Sequence, residues 1–211
     1  VSEDISPAFL LESATGEFAP AELWDRIGER QLADWEDHWT PQLLAASKRL
    51  RDAGVDRSQL PQARHWNWRN KAASAAESLA NPSFCVMCAG QTQGMMILNT
   101  LPRARGLTHR GKHLVYIEYL ESEPWNQRSL SIGQPRYHGV GALLMRVAIE
   151  FSRQEGFKGR VGLHSLPQSN GWYGSTCGMT DLGPDRAYQS LRYFEMTTEQ
   201  ADAFIAKGYK P

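Results

Sequence analysis

The run Arg136-Tyr137-His138-Gly139-Val140-Gly141 leads directly into an apolar helical stripe, a combination that describes a seat for a phosphate-bearing ligand. Two glycines one residue apart leave the backbone bare at a helix start. There the first amides have no intrahelical partner and carry partial positive charge, so the end attracts an anion. The stripe is Val140, Leu143, Leu144, Val147, Ala148 and Phe151, a face periodic at 3.6 residues.

Flanking segments supply the elements that hold this seat. Residues 113–120 read as a strand, rich in β-branched and aromatic side chains between Gly111 and Pro124. Gly156 ends the helix, and residues 160–165 read as a second strand. A dinucleotide-binding unit needs a third glycine three residues after the second and an acidic residue about 20 positions on. Leu144 and His164-Ser165 stand there instead, which excludes nicotinamide and flavin dinucleotides.

What remains resembles the GNAT superfamily of acetyl-coenzyme A-dependent N-acetyltransferases, whose signature is Gln/Arg-x-x-Gly-x-Gly/Ala between strand and helix. Arg136, Gly139 and Gly141 match it position for position. Trp172-Tyr173 followed by Gly178-Met179 is similar to a second family feature, and the resemblance covers residues 84–196. It implies an α/β (α+β) GNAT fold with a mixed central sheet splayed at the cofactor-binding strand. Residues 1–211 then form one domain: an enlarged N-terminal helical part (1–80), an acetyl-coenzyme A-binding core (84–196) and a C-terminal helix (197–211).

The activity implied is acetyl transfer from acetyl-coenzyme A, as co-substrate, to a primary amine of a small-molecule or protein acceptor, without metal. The resemblance assigns the pyrophosphate to Arg136 and to the main chain of Tyr137, His138, Gly139, Val140, Gly141 and Ala142, and the pantetheine to Leu120, Glu121 and Ser122. Tyr173 corresponds to the tyrosine that serves the departing sulfur. Five steps separate it from Gly178 where the family has four, and one helical position turns a side chain by about 100 degrees. Amine attack also needs a proton acceptor. Glu118 is selected by parity with family members bearing a strand-borne glutamate, and His164 is its rival because its ordinary pKa lies near neutrality. The plainer readings are a solvated or ion-paired carboxylate and a histidine bonded to backbone.

Two departures qualify the carry-over. Residues 125–135, with Trp125, Asn126 and Arg128, are an insertion that either folds over the site or widens the loop. Leu166-Pro167 replaces an asparagine common in the family, with Ser165 as a substitute. Two other readings stay open: an inactive coenzyme-binding or regulatory module, and a toxin-like enzyme acting on aminoacyl-tRNA. The last would need a local basic patch from Arg103, Arg105, Arg110 and Lys112.

Elsewhere residues 9–11 read as a short strand and residues 21–39 as a helix with Leu32, Trp35 and Trp39 on one stripe. Thr40-Pro41 reads as the start of a new helix to Ala53, closed by Gly54. Residues 66–79 read as a third helix packing Ala72, Ala73, Ala76 and Leu79. Residues 84–89 and 93–101 form a hairpin through Gly90-Gln91-Thr92, residues 188–196 a last strand, and Thr197 caps a final helix. Trp35 and Trp39, at i and i+4, belong to a core. Trp66, Trp68 and Trp125 are the candidates for acceptor contact, with core packing as the alternative.

Composition bounds the rest. Lys plus Arg and Asp plus Glu balance at 23 each, which disfavours nucleic acid as a partner, and no apolar run approaches the roughly 20 residues of a membrane span. Three cysteines fit a reducing, cytoplasmic setting. Cys85-x-x-Cys88 lies in an apolar strand without a second ligand pair, which favours buried packing over a metal. Oligomeric state, a homodimer included, is left open.

Overall fold

The computed structural model describes residues 4–56, 60–127, 130 and 134–208. In chain order the elements are β1 (Ile5–Glu12), β2 (Phe18–Trp24), α1 (Glu29–Asp34), α2 (Thr40–Asp52), α3 (Trp68–Ala76), β3 (Ser83–Cys88), β4 (Gln91–Asn99) and β5 (Val115–Ser122). They continue as β6 (Tyr137–His138), α4 (Val140–Gln154), β7 (Val161–Ser165), β8 (Thr180–Asp185), β9 (Leu191–Met196) and α5 (Thr198–Ala206). The nine strands form a mixed sheet in the order β6-β1-β2-β3-β4-β5-β7-β9-β8. Its parallel pair, β5 with β7, matches Val115, Tyr116 and Ile117 to Val161, Gly162 and Leu163. That pairing stops after three residues although β5 runs on to Ser122 and β7 to Ser165, which is the splay expected of this strand.

Two compact units divide the chain. One holds residues up to Met96 together with Leu120–Leu144; the other holds Ile97–Tyr119 and residues from Met145 on. In the first, β3 and β4 are buried almost throughout, as strands covered on both faces must be. Their turn is tighter than expected: Ala89 and Gly90, at φ 48° and 77°, make a two-residue connection, and β4 already starts at Gln91.

The N-terminal part contains less helix than its composition suggests. The expected helix over residues 21–39 is a strand to Trp24, because β2 pairs with β1 and with β3 and alternates its burial. The helical run begins at Glu29 and then continues without a break into α2. Thr40-Pro41 therefore starts no new helix. Residues Trp35–Trp39 form a π-turn in which the Thr40 amide donates to the Trp35 carbonyl, a wide step that admits Pro41, whose ring would otherwise crowd the carbonyl four residues back. Trp35 and Trp39 are core residues, as expected. In α3 the buried residues are Trp68 and Ala75, whereas Ala73, Ala76 and Leu79 face solvent. Cys85 and Cys88 are buried, and burial pushes the Cys85 thiol up to about 12.

The stripe of α4 is rotated from the one read off the sequence: Met145 and Ile149 are fully buried beside Leu144 and Ala148, while Leu143, Val147 and Phe151 are half-buried. Its first turn lies against β4 at Gly94. A Cβ there would sit 2.5 Å from Val140 Cγ1 and 3.0 Å from Leu144 Cδ1. Gly94→Ala must push α4 away from the strand, so thermal unfolding should show a loss of about 1–3 kcal/mol. An unchanged melting curve would contradict this packing.

Candidate active site

The glycine turn is built as its sequence implies. Gly139 adopts φ 89°, a region costly for any residue with a Cβ, and α4 begins at the next residue. The first i to i−4 bond of the helix runs from the Leu143 amide to the Gly139 carbonyl at 2.8 Å, so the amides of Val140, Gly141 and Ala142 precede it. Tyr137 is a correction. Its amide donates to Asn126 Oδ1 at 2.9 Å and is not available to a ligand, and Tyr137 and His138 pair with Glu12 and Leu11 of β1. The Arg136 guanidinium lies 5.1 Å over the Tyr137 ring and donates to Gln91 Oε1 at 3.1 Å.

Asn126 carries no sequence motif, yet it organises this end of the unit. Its Nδ2 donates to Gln93 Oε1 while its Oδ1 receives the Tyr137 amide, so one side chain ties the start of the insertion to β4 and β6. Farther along, Leu130 packs on Leu43 and Ala46 of α2, and Arg49 donates to its carbonyl at 2.6 Å. Arg128 lies outside the described residues.

The end of β5 and the residue just past it carry three carboxylates with three environments, Glu118 and Glu121 on the strand and Glu123 beyond Ser122. Glu118 is half-buried and accepts from Asn99 Nδ2 at 2.8 Å. Glu121 is buried and accepts from Trp68 Nε1 at 2.6 Å; burial drives its pKa up to about 7, opposed by that bond and by Lys71. Glu123 is buried more completely, and burial pushes it to about 9. Its Oε2, like Trp125 Nε1, has no hydrogen-bond partner among the described residues. Leu120 and Ser122 are half-buried, on the opposite strand parity from Glu121. Trp68 is entirely enclosed, so its contact is with Glu121 rather than with an acceptor at the surface. Trp66 is half-buried, edge-on to Trp68 with centroids 6.3 Å apart, and Lys71 Nζ lies 5.2 Å from its ring centre.

In the second unit His164 is held by side chains, not by backbone. Its Nδ1 is 2.7 Å from the Tyr116 hydroxyl and its Nε2 3.0 Å from Asp185 Oδ2. Asp185 is ionised, held down to about 2 by Arg105 and His164, so Nε2 carries the proton and Nδ1 accepts from Tyr116. Tyr188 stacks on the imidazole at 3.8 Å. Burial lowers the histidine's pKa, and both nitrogens are occupied. Ser165 donates to the Leu166 carbonyl at 2.9 Å.

Tyr173 sits in a second π-turn, Trp172–Thr176, closed by the Cys177 amide donating to the Trp172 carbonyl at 3.0 Å. This wide turn absorbs the extra residue between Tyr173 and Gly178 that the sequence spacing left unexplained. The ring is buried against Trp172 and Phe194, and burial raises the phenol's pKa.

The strand order, the parallel β5–β7 pair joined through α4 and the glycine turn define the GNAT fold. No protein-family model matches the sequence, and no curated protein matches it. Among solved structures the chain is similar to PaiA N-acetyltransferase from Thermoplasma acidophilum in complex with coenzyme A, at TM-score 0.52 and 12% identity over 84% of this chain and 98% of that one. It is similar to a bacterial toxin at TM-score 0.50 and 12% identity, over 68% and 82% of the two chains. Of a Bacillus anthracis protein crystallised with acetyl coenzyme A the chain spans 63%, at 14% identity and TM-score 0.40, over 56% of its own length. Among the described residues no helix is long and apolar enough to cross a membrane, and no group of three His, Cys, Asp or Glu could hold a metal.

Glu121 offers a direct check on this geometry. Its folded pKa of about 7 exceeds the ordinary 4.5, so between those values the folded state binds the proton more tightly and the residue's contribution to stability falls as pH rises. Gln keeps an acceptor for Trp68 and cannot titrate. The stability of Glu121→Gln relative to the parent should therefore increase by on the order of 3 kcal/mol from pH 4 to pH 8. Urea titrations at both pH values that give parallel profiles would refute the buried, bonded carboxyl.

Proposed function

We propose that the protein transfers an acetyl group from acetyl-coenzyme A to a primary amine by direct attack. The observation that carries this reading is the start of α4 behind Gly139, where three successive amides precede the first helical hydrogen bond and have no backbone acceptor among the described residues. Such an end suits a pyrophosphate. The residues fit the co-substrate: Val140, Gly141 and Ala142 offer donors, and Leu120, Glu121 and Ser122 offer strand backbone for the pantetheine.

In the reaction the amine nitrogen bonds to the thioester carbonyl carbon, the carbon–sulfur bond breaks, and the ammonium proton must leave. Glu118 is the carboxylate best suited to accept that proton, because it is less enclosed than Glu121 and Glu123. Tyr173 keeps its proton, since burial raises its pKa, and a protonated phenol suits donation to a departing thiolate. With both nitrogens occupied, His164 acts as the support of Tyr116 rather than as a free base. The toxin-like reading is less well supported, because Arg103 donates to the Gly111 carbonyl and Arg105 pairs with Asp185, which spends half of the basic patch internally.

Calorimetry with acetyl-coenzyme A should show binding that weakens about tenfold or more in Arg136→Ala and in Gly139→Ala, the second through strain at φ 89°. Absence of binding at high micromolar co-substrate would overturn the proposal. In a thiol-release assay over a panel of amines, Tyr173→Phe should lower kcat by about 10²-fold with co-substrate affinity unchanged.

A further inference from the structure

Within the second unit a cavity of about 400 Å³ lies between the loop that carries Arg105 and Arg110 and the end of β8; none of its lining residues is assigned above to co-substrate or acid-base chemistry, although Asp185 and Tyr193 in its wall also touch His164. The loop is fixed in place. Glu195 of β9 accepts the amides of Arg105 and Gly106, and Gly106 lies so close that a Cβ there would meet Glu195 Oε2 at 2.8 Å. The Gly111 amide donates to the Ala104 carbonyl and the Ala104 amide to the Lys112 carbonyl, closing the loop on itself.

Charge around the cavity does not balance. Asp185 is committed to Arg105, to His164 Nε2 and to the Ala187 amide, and Glu195 is committed to the loop amides. Asp181 is paired with Arg192 at 2.6 Å. Arg110 and Arg186 both line the cavity, and among the described residues neither has an ion-pair partner. The remaining walls are apolar: Leu107 and Leu182 are 88% and 41% exposed, next to Pro184 and the face of Tyr193 on which Arg105 rests at 4.3 Å. Two guanidiniums with no ion-pair partner among the described residues fit carboxylate or phosphate oxygens, and exposed leucines beside them fit an apolar arm.

We infer that this cavity binds a small amphiphilic anion, a carboxylate or phosphate monoester with an apolar chain, its head on Arg110 and Arg186 and its chain along Leu107 and Leu182. The site is independent of the glycine turn and of the acetyl-transfer reading.

The test is calorimetric titration of the whole chain with octyl phosphate and with octanoate, with octylammonium and inorganic phosphate as controls. At least one of the two amphiphilic anions should bind with a Kd below about 1 mM, more tightly than inorganic phosphate, and octylammonium should not bind. An Arg110→Ala/Arg186→Ala variant should weaken binding about tenfold or more, the corresponding Lys pair should retain most of it, and Leu182→Asp should weaken it. Arg136→Ala should leave it unchanged, which separates this site from the phosphate seat at α4. Both arginines are exposed, so the double variant should keep the parent's melting curve and acetyl-coenzyme A affinity. Equal binding to the double variant, equal binding of octylammonium, or no binding of either anion at about 10 mM would overturn the inference. So would tRNA binding that needs the same arginines while neither amphiphile binds.

Discussion

The interior of the first unit is tied together at a buried carboxyl whose oxygen an indole satisfies. A carboxyl enclosed without a donor costs several kcal/mol, and the Trp68 Nε1–H at 2.6 Å removes much of that cost for Glu121. The bond fastens α3 to the far end of β5. The Glu121 carbonyl lies 3.5 Å from where a Gly94 Cβ would be, and the first turn of α4 presses on the same glycine. One set of contacts thus sets the strand end, the helical layer and the start of α4, whose first amides are the ones proposed to meet the co-substrate. Asp34 adds a second tie, accepting both the amide and the hydroxyl of Thr92 at the head of β4.

Two π-turns, one in the core of the first unit and one around the candidate residue Tyr173, each solve a spacing problem. At Trp35–Trp39 the wide turn precedes Pro41 and keeps two tryptophans in the core of a helix that a proline would otherwise interrupt. At Trp172–Thr176 it takes up one residue before Gly178. A motif displaced by one position is therefore not always mis-aimed, because an i to i+5 bond spends that residue within the turn.

The polar cluster of the second unit shows why His164 could not be assigned from its neighbours in the chain. Its partners are Tyr116 of β5 and Asp185 at the end of β8, 48 and 21 residues away, with Tyr188 stacked on the ring. Arg105 completes the group by pairing with Asp185 and resting on Tyr193. The histidine's two nitrogens are both taken by side chains, and neutral charge balance over the whole chain conceals that Arg110 and Arg186 have no ion-pair partner among the described residues.

Local chemistry made several features legible in residue order alone. The glycine turn at residue 139, the helix it opens, the strands on either side, the hairpin of β3 and β4 and the capping box of Thr197 with Gln200 each follow from φ restrictions, amide counting and short-period burial. The β2 strand, the unbroken helix across Thr40-Pro41 and the burial of Trp68 were not legible, because partners distant in sequence decided them: β1 and β3 pair with β2, and Glu121 draws Trp68 inward. Tyr137 lost its free amide to Asn126 for the same reason. Spacing along a chain specifies which backbone groups are left over, whereas only the folded arrangement decides which side chain reaches them first.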